Sequence, residues 1–238
     1  MKYVGSKNRL SKHLVPIIQE QIESHSPKGY LEPFVGGANL IDKIDHPVKA
    51  GSDIHPELIA LLKYVQNQDN ILPTEISEEE YIKVRDSKEN YPQWYVGLVG
   101  FCATFGAKYF GGYARGFKAD KITPRNLSNE AIRNLEKQRP KLADIEFLNE
   151  DFTYFSDFKD YVIYCDIPYN TTLKYTTQDF PYEKFYQWCI EMSKYNTLLI
   201  SEYSMPPQFK EIWSKEVKVG IDKKKHSDRV EKLFIVSE

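Results

Sequence analysis

Four consecutive residues could hold a flat base: Asp166, Ile167, Pro168 and Tyr169, which follow the apolar run Tyr161-Val-Ile-Tyr-Cys165. A carboxylate accepts hydrogen bonds, a proline-restricted backbone offers a carbonyl in fixed position, and a tyrosine ring offers a face for stacking. Together they suit a base that carries an exocyclic amino group. Alone, the same residues also read as a strand followed by a turn that begins with Asp. A second set of residues could serve a cofactor of adenosine type. Gly36 and Gly37 follow the extended run Tyr30–Phe34, where a backbone without side chains lets a ligand approach closely. Asp53 closes the next extended run, Val48–Ile54, and an acid at the end of the second strand of a βαβ unit is placed to accept from ribose hydroxyls. Asp151 and Phe152 offer a carboxylate and a ring at a third such end, for the edge and face of an adenine. Lys2 and Lys7 flank the Gly5-Ser6 turn, where two charges and exposed N–H groups could receive a small carboxylate.

These residues need strands that end where they stand. Tyr161–Cys165 and Thr197–Tyr203 read as buried parallel strands, because β-branched and aromatic residues run on without alternation. Asp144–Leu148 gives another strand, and the end of the chain reads as a hairpin of Val217–Ile221 with Leu233–Val236. Apolar residues at helical spacing give a helix from about Ser11 through Ile22 and another from His55-Pro56 through Val65. Leu40-Ile41 begin a helix, Ser77 starts one at Glu78-Glu79-Glu80, Leu127–Lys141 makes an amphipathic one with Ser128 as its cap and Pro140 near its end, and Phe185–Tyr195 makes the last. Open α/β sheets bind ligands beyond the carboxyl ends of their strands, which is where the acids and rings fall.

The 238 residues, 41% hydrophobic and 28% charged, suffice for one large domain or one domain with an insertion. Cys102, Cys165 and Cys189 lack metal-ligand spacing and are too few for a disulfide framework. No apolar run approaches the roughly 20 residues of a membrane span, and the chain opens without a signal-peptide core. These features read as a cytoplasmic protein with no membrane partner. The net charge of −2 hides a local asymmetry. Residues 66–90 carry seven acidic and three basic side chains, whereas residues 101–141 carry nine basic and three acidic, a local +6. Within the latter, residues 105–118 interleave glycines, aromatics and cations. Flexible backbone, stacking rings and phosphate-seeking charge suit contact with nucleic acid, although an ordinary surface loop has a similar composition. Asp222-Lys-Lys-Lys225-His226 puts a further basic tip on the hairpin, and an exposed solubilising turn would look the same.

With these residues set out, the chain resembles the Dam-like class of DNA adenine methyltransferases over nearly its whole length. Lys2-Tyr-Val-Gly-Ser-Lys7 is similar to the family's N-terminal motif, Glu32-Pro-Phe-Val-Gly-Gly-Ala38 to its glycine-rich loop, Ser52-Asp53-Ile54 to its ribose-binding strand end, and Asp166-Ile-Pro-Tyr169 to its catalytic DPPY motif. The resemblance implies S-adenosyl-L-methionine as cofactor, with Tyr3, Lys7, Phe34, Gly36, Gly37, Asp53, Asp151, Phe152 and Asp166 around it. It implies Asp166, Ile167, Pro168 and Tyr169 as catalytic residues acting without a metal on an adenine flipped from double-stranded DNA. Two positions depart from the family pattern: Ala38 replaces a glycine and Ile167 a proline. Isoleucine keeps the backbone carbonyl, and alanine is small enough for close approach unless its position needs a positive φ.

The fold expected is therefore α/β, a Rossmann-like, mixed and mainly parallel seven-stranded methyltransferase sheet with helices on both faces. Residues 1–75 and 145–238 form the cofactor-binding catalytic domain in this reading, and 76–144 a small, mostly helical insertion that recognises target DNA. Lys108, Tyr113, Arg115, Lys118 and Arg125 are its candidate DNA contacts, joined by Lys223, Lys224 and Lys225 of the hairpin tip. A cognate restriction endonuclease is a candidate partner. Two rivals stay open: a methyltransferase acting on RNA or on a cytosine amino group, and a DNA-binding homologue impaired in catalysis.

Overall fold

Strands form where short runs of β-branched and aromatic residues meet polar or turn-forming flanks. In the computed structural model, which describes residues 1–117, 119–169, 180–219 and 227–237 (218, 219, 227 and 228 by backbone alone), these are β1 (Gly29–Glu32), β2 (Lys49–Ser52), β3 (Ile145–Leu148), β4 (Tyr161–Asp166), β5 (Thr197–Glu202), β6 (Phe209–Val219) and β7 (Ser227–Val236). They make one seven-stranded sheet in the order β3-β2-β1-β4-β5-β7-β6. β1, β4 and β5 run parallel, as do β2 and β3, while β7 is antiparallel to both β5 and β6. The mixed, mainly parallel seven-stranded sheet expected from the sequence is thus present. Strand order reverses between β1 and β4, and such a reversal leaves a crevice at the carboxyl ends of the two strands.

The chain divides into two units, Met1–Val15 with Val35–Glu150 and Pro16–Phe34 with Asp151–Glu238. The first holds β2, β3, α2 (Pro56–Gln66), α3 (Glu78–Asp86), α4 (Gln93–Cys102) and α5 (Leu127–Gln138). Its core includes Leu58, Leu61 and Val65 of α2 with Leu98 and Val99 of α4. Gly97 permits that packing, since a Cβ there would lie 2.1 Å from the Glu57 carbonyl oxygen. Serine capping starts α3 as expected: the Ser77 hydroxyl accepts the Glu80 N–H at 3.1 Å.

Within this unit one helix is missed by the sequence reading and two expected helices are corrected. α4 goes unread in the sequence, because Trp94–Cys102 is apolar all round and interrupted by two glycines, which gives no clear period. Leu40-Ile41 lead only into one turn of 3-10 helix, Ile41–Lys43. α5 is capped by Asn126, whose side chain accepts the Asn129 N–H at 2.9 Å, while Ser128 turns inward to bond the Ile76 backbone. That helix ends at Gln138 and tightens to a 3-10 turn over Arg139–Leu142, because Pro140 has no N–H to continue the ladder.

In the second unit α6 (Tyr182–Ser193) accompanies β1 and β4 to β7. The hairpin is longer than its sequence suggests, with strands of 11 and 10 residues. β7 pairs with β5 only through Lys232, Leu233 and Phe234, so 227–231 run past the carboxyl end of β5 beside β6 alone. α1 (Ser11–His25) spans the point in the chain where one unit gives way to the other.

Candidate active site

β4 and β5 end in register, Asp166 opposite Ser201 and one step before Glu202. Two acids thus close neighbouring parallel strands, and β1, on the other side of β4, also ends in an acid, Glu32. Glu202 is 1% exposed and its carboxylate folds back to accept the N–H groups of Tyr203 and Ser204. Glu32 accepts the Tyr30 hydroxyl at 2.8 Å. Asp166 itself is half-buried.

Ile167 is 2% exposed, so its side chain belongs to the core and its carbonyl is what it offers to chemistry. The next carbonyl, of exposed Pro168, accepts the Tyr182 hydroxyl at 2.7 Å, which steadies the backbone beyond Ile167. Tyr169 is only 8% exposed, and its hydroxyl donates to Glu231 Oε2 at 2.7 Å. Burial, and after it the Asp166 and Glu231 carboxylates, hold this phenol well above its usual pKa, so it keeps its proton and remains a donor. Its ring meets that of Tyr203 edge to face, with centroids 4.5 Å apart.

Phe34 and Phe152 lie in an aromatic cluster with Phe180, Phe185 and Trp188; the Phe34 and Phe152 centroids are 5.9 Å apart. Trp188 Nε1–H is buried there with no hydrogen-bond partner among the described residues. Asp151 stays exposed and caps the turn Phe152–Phe155, its Oδ1 accepting the Thr153 N–H at 2.8 Å.

In the first unit the glycine turn and Asp53 form a cluster of their own. Val35 N–H donates to the Ser52 carbonyl at 2.7 Å and fastens the turn to β2. Asp53 Oδ2 accepts Gly36 N–H at 3.2 Å and Oδ1 accepts His55 N–H at 3.0 Å. Burial raises the Asp53 pKa, and the two N–H groups oppose that rise. Gly36 has φ +48°, and Ala38 also takes the left-handed region, at +53°. The condition set on Ala38 by the sequence is therefore not met: its position does need a positive φ. Tyr3 lies on the turn, since a Cβ on Gly36 would stand 2.8 Å from its ring and one on Gly37 2.9 Å from its Cβ. Lys7 is buried, with Nζ 3.5 Å from the Gly5 carbonyl.

The candidate DNA contacts of this unit fall on and around a loop that carries two isolated bridges, Thr104 to Tyr113 and Phe117 to Pro124. Lys108 is exposed; Tyr113 is half-buried and donates its hydroxyl to the Ile76 carbonyl at 2.8 Å. Arg115 is exposed and forks onto Glu78, and Arg125 forks onto Glu130. Lys118, Lys223, Lys224 and Lys225 lie outside the described residues, as does most of the polar stretch that follows Tyr169.

The structure thus gathers Asp166, Ile167, Pro168 and Tyr169 with Glu202, Tyr203 and Glu231, and separately gathers Tyr3, Gly36, Gly37 and Asp53. The sequence reading assigns no role to Glu202, Tyr203, Arg229 or Glu231. The available signal for Glu231 is an acid in an inward position, since it shares a face of β7 with buried Leu233. No described helix is long and apolar enough to cross a membrane.

Comparison with known proteins adds two findings. A family model described as D12 class N6 adenine-specific DNA methyltransferase matches residues 3–226. Among curated proteins, the Type II methyltransferase M.MjaIII of Methanocaldococcus jannaschii is 25% identical over 213 residues, covering 76% of this chain and 74% of the relative.

Proposed function

The chain belongs to the D12 class of N6 adenine-specific DNA methyltransferases, and on that premise we propose that S-adenosylmethionine is its methyl donor and that Asp166, the Ile167 carbonyl, Pro168 and Tyr169 are its catalytic group. The observation that carries the assignment is the half-buried Asp166 at the carboxyl end of β4, beside the reversal of strand order and directly before a core-anchored Ile167.

Asp53 and its turn are chemically suited to the donor. Each Asp53 oxygen accepts one backbone N–H and retains acceptor capacity for a hydroxyl of a ribose diol. The glycine turn admits no larger side chain at Gly36 or Gly37. On this reading Tyr3, Lys7, Phe34, Gly36, Gly37, Asp53, Asp151, Phe152 and Asp166 serve the donor. When bound, S-adenosylmethionine supplies a methyl group activated by its sulfonium charge.

The residues of the chain have the harder task of making a poor nucleophile react. The lone pair of an adenine amino group is delocalised into the ring. Hydrogen bonds from that group to Asp166 and the Ile167 carbonyl favour a more tetrahedral nitrogen whose lone pair points away from both acceptors. Alignment and a preorganised carboxylate then lower the barrier without a covalent enzyme intermediate. The adenine must leave the duplex to reach this group. Tyr169 would stack on it.

Residues 76–144 are proposed as the target-recognition insertion. Arg115 and Arg125 are held by Glu78 and Glu130 in surface pairs that contribute little, which phosphates can replace. The relative's name, Type II methyltransferase, makes a cognate restriction endonuclease a candidate partner. Work on DNA fits a cytoplasmic location. Calorimetry tests the donor: S-adenosylmethionine should bind the wild type, and Asp53→Ala should weaken it by about 1–3 kcal/mol, the scale of hydrogen bonds to a charged acceptor. Unchanged affinity in a folded variant would remove Asp53 from the site.

A further inference from the structure

We propose that Arg229, backed by the ring of Tyr203, binds a phosphate of the target strand beside the base that Asp166 and Tyr169 receive; the proposal rests on that catalytic assignment. The hairpin makes the site possible. Residues 227–231 of β7 extend past the end of β5, so they flank the strand ends that carry the acids. Tyr203 follows Glu202 directly, and its ring meets Tyr169 on one side. The Arg229 guanidinium carbon lies 5.3 Å from the centroid of the same ring, and Nη1 donates to the Tyr203 hydroxyl at 3.4 Å. Tyr203, Arg229, Val230 and Lys232 line an open cleft.

Its pairing distinguishes this cation from Lys232, Arg115 and Arg125. Lys232 is bound to Glu211 at 2.8 Å, and Arg115 and Arg125 have carboxylate partners, but no described carboxylate pairs with Arg229. One long hydrogen bond leaves most of its five donors turned to other partners. A planar fork held against an aromatic ring is preorganised for two phosphate oxygens, which a flexible lysine is not. The site has a need for it as well. Asp166 and Glu202 close the strands that a polyanionic DNA strand must approach, and Arg229 stands two residues from Glu231 on the same side of β7. A fixed cation there offsets the repulsion where the strand enters.

The test uses the full chain and a short duplex taken from plasmid DNA that the wild type labels with tritiated methyl groups. Binding is read by fluorescence anisotropy across a salt series. Arg229→Ala should bind about tenfold more weakly, with a salt slope lower by about 0.9, the signature of one lost phosphate contact. Arg229→Lys should keep the slope, since the charge remains, and recover only part of the affinity. S-adenosylmethionine affinity, unchanged in both, shows that the fold is intact. Neutral methylphosphonates placed singly on either side of the target adenine give a second reading that needs no variant. One of them should weaken wild-type binding and abolish the difference between wild type and Arg229→Ala. A wild-type salt slope in folded Arg229→Ala overturns the proposal, as does full wild-type affinity for both neutralised duplexes. A lowered slope alongside an Asp166→Ala variant that still methylates would leave the phosphate site standing and sink the catalytic reading instead.

Discussion

Tyr169 and Ala38 each show what a single residue costs and contributes. The Tyr169 hydroxyl is buried, protonated and donating to Glu231, itself 9% exposed. Tyr169→Phe keeps the ring and removes that donor from a buried carboxylate. It should therefore lower stability by about 1–3 kcal/mol in urea unfolding while S-adenosylmethionine affinity holds. A stability equal to wild type would mean that water replaces the hydroxyl freely and that the pair does not fix the ring. Ala38 sits at φ +53°, where an L-residue with a Cβ is strained by about 1–2 kcal/mol. Glycine removes the strain but gains freedom in the unfolded chain, so Ala38→Gly should raise stability by up to about 1 kcal/mol. A loss of stability would show that the alanine methyl packs for more than its backbone costs.

At the scale of elements, the start of α2 joins the Asp53 cluster to the helical part of its unit. His55 precedes α2, donates its N–H to Asp53, and packs edge-on against Phe101 and Tyr109. Burial, the largest influence on it, depresses its pKa below the usual 6.5. The folded state therefore prefers neutral His55. Its contribution is fully present above about pH 6.5 and is lost as pH falls through the depressed folded value. Asp53 has the opposite sign, because its raised pKa favours the folded state in acid. His55→Gln should flatten the decline of stability just below pH 6.5 in thermal melts, and an unaltered decline would show that another group causes it. These elements also show what the sequence could reveal. β4 and β5 are legible because burial makes their pattern continuous, and Asp166 at the end of β4 follows from chain order alone. α4 is not, because helix and strand periods are lost in an apolar segment with two glycines. Glu231 is not either, because its role depends on strand register: β7 carries it alongside a site formed 62 residues earlier.

For the whole molecule, the question is whether a chain of net charge −2 can hold DNA and act on it. Local charge decides, since phosphate contacts set affinity and its salt dependence. Arg115→Ala combined with Lys118→Ala should lower the salt slope of duplex binding by roughly 0.9 for each lost contact. A slope identical to wild type would place this loop away from the DNA. The catalytic claim is narrower and is tested most directly by one comparison: tritiated-methyl transfer to mixed-sequence duplex DNA by wild type and by Asp166→Ala. The variant should fold and bind S-adenosylmethionine and DNA as the wild type does, while transfer to adenine N6 falls at least about 10²-fold, as for loss of one oriented transition-state group. Full activity in a folded Asp166→Ala would contradict the account.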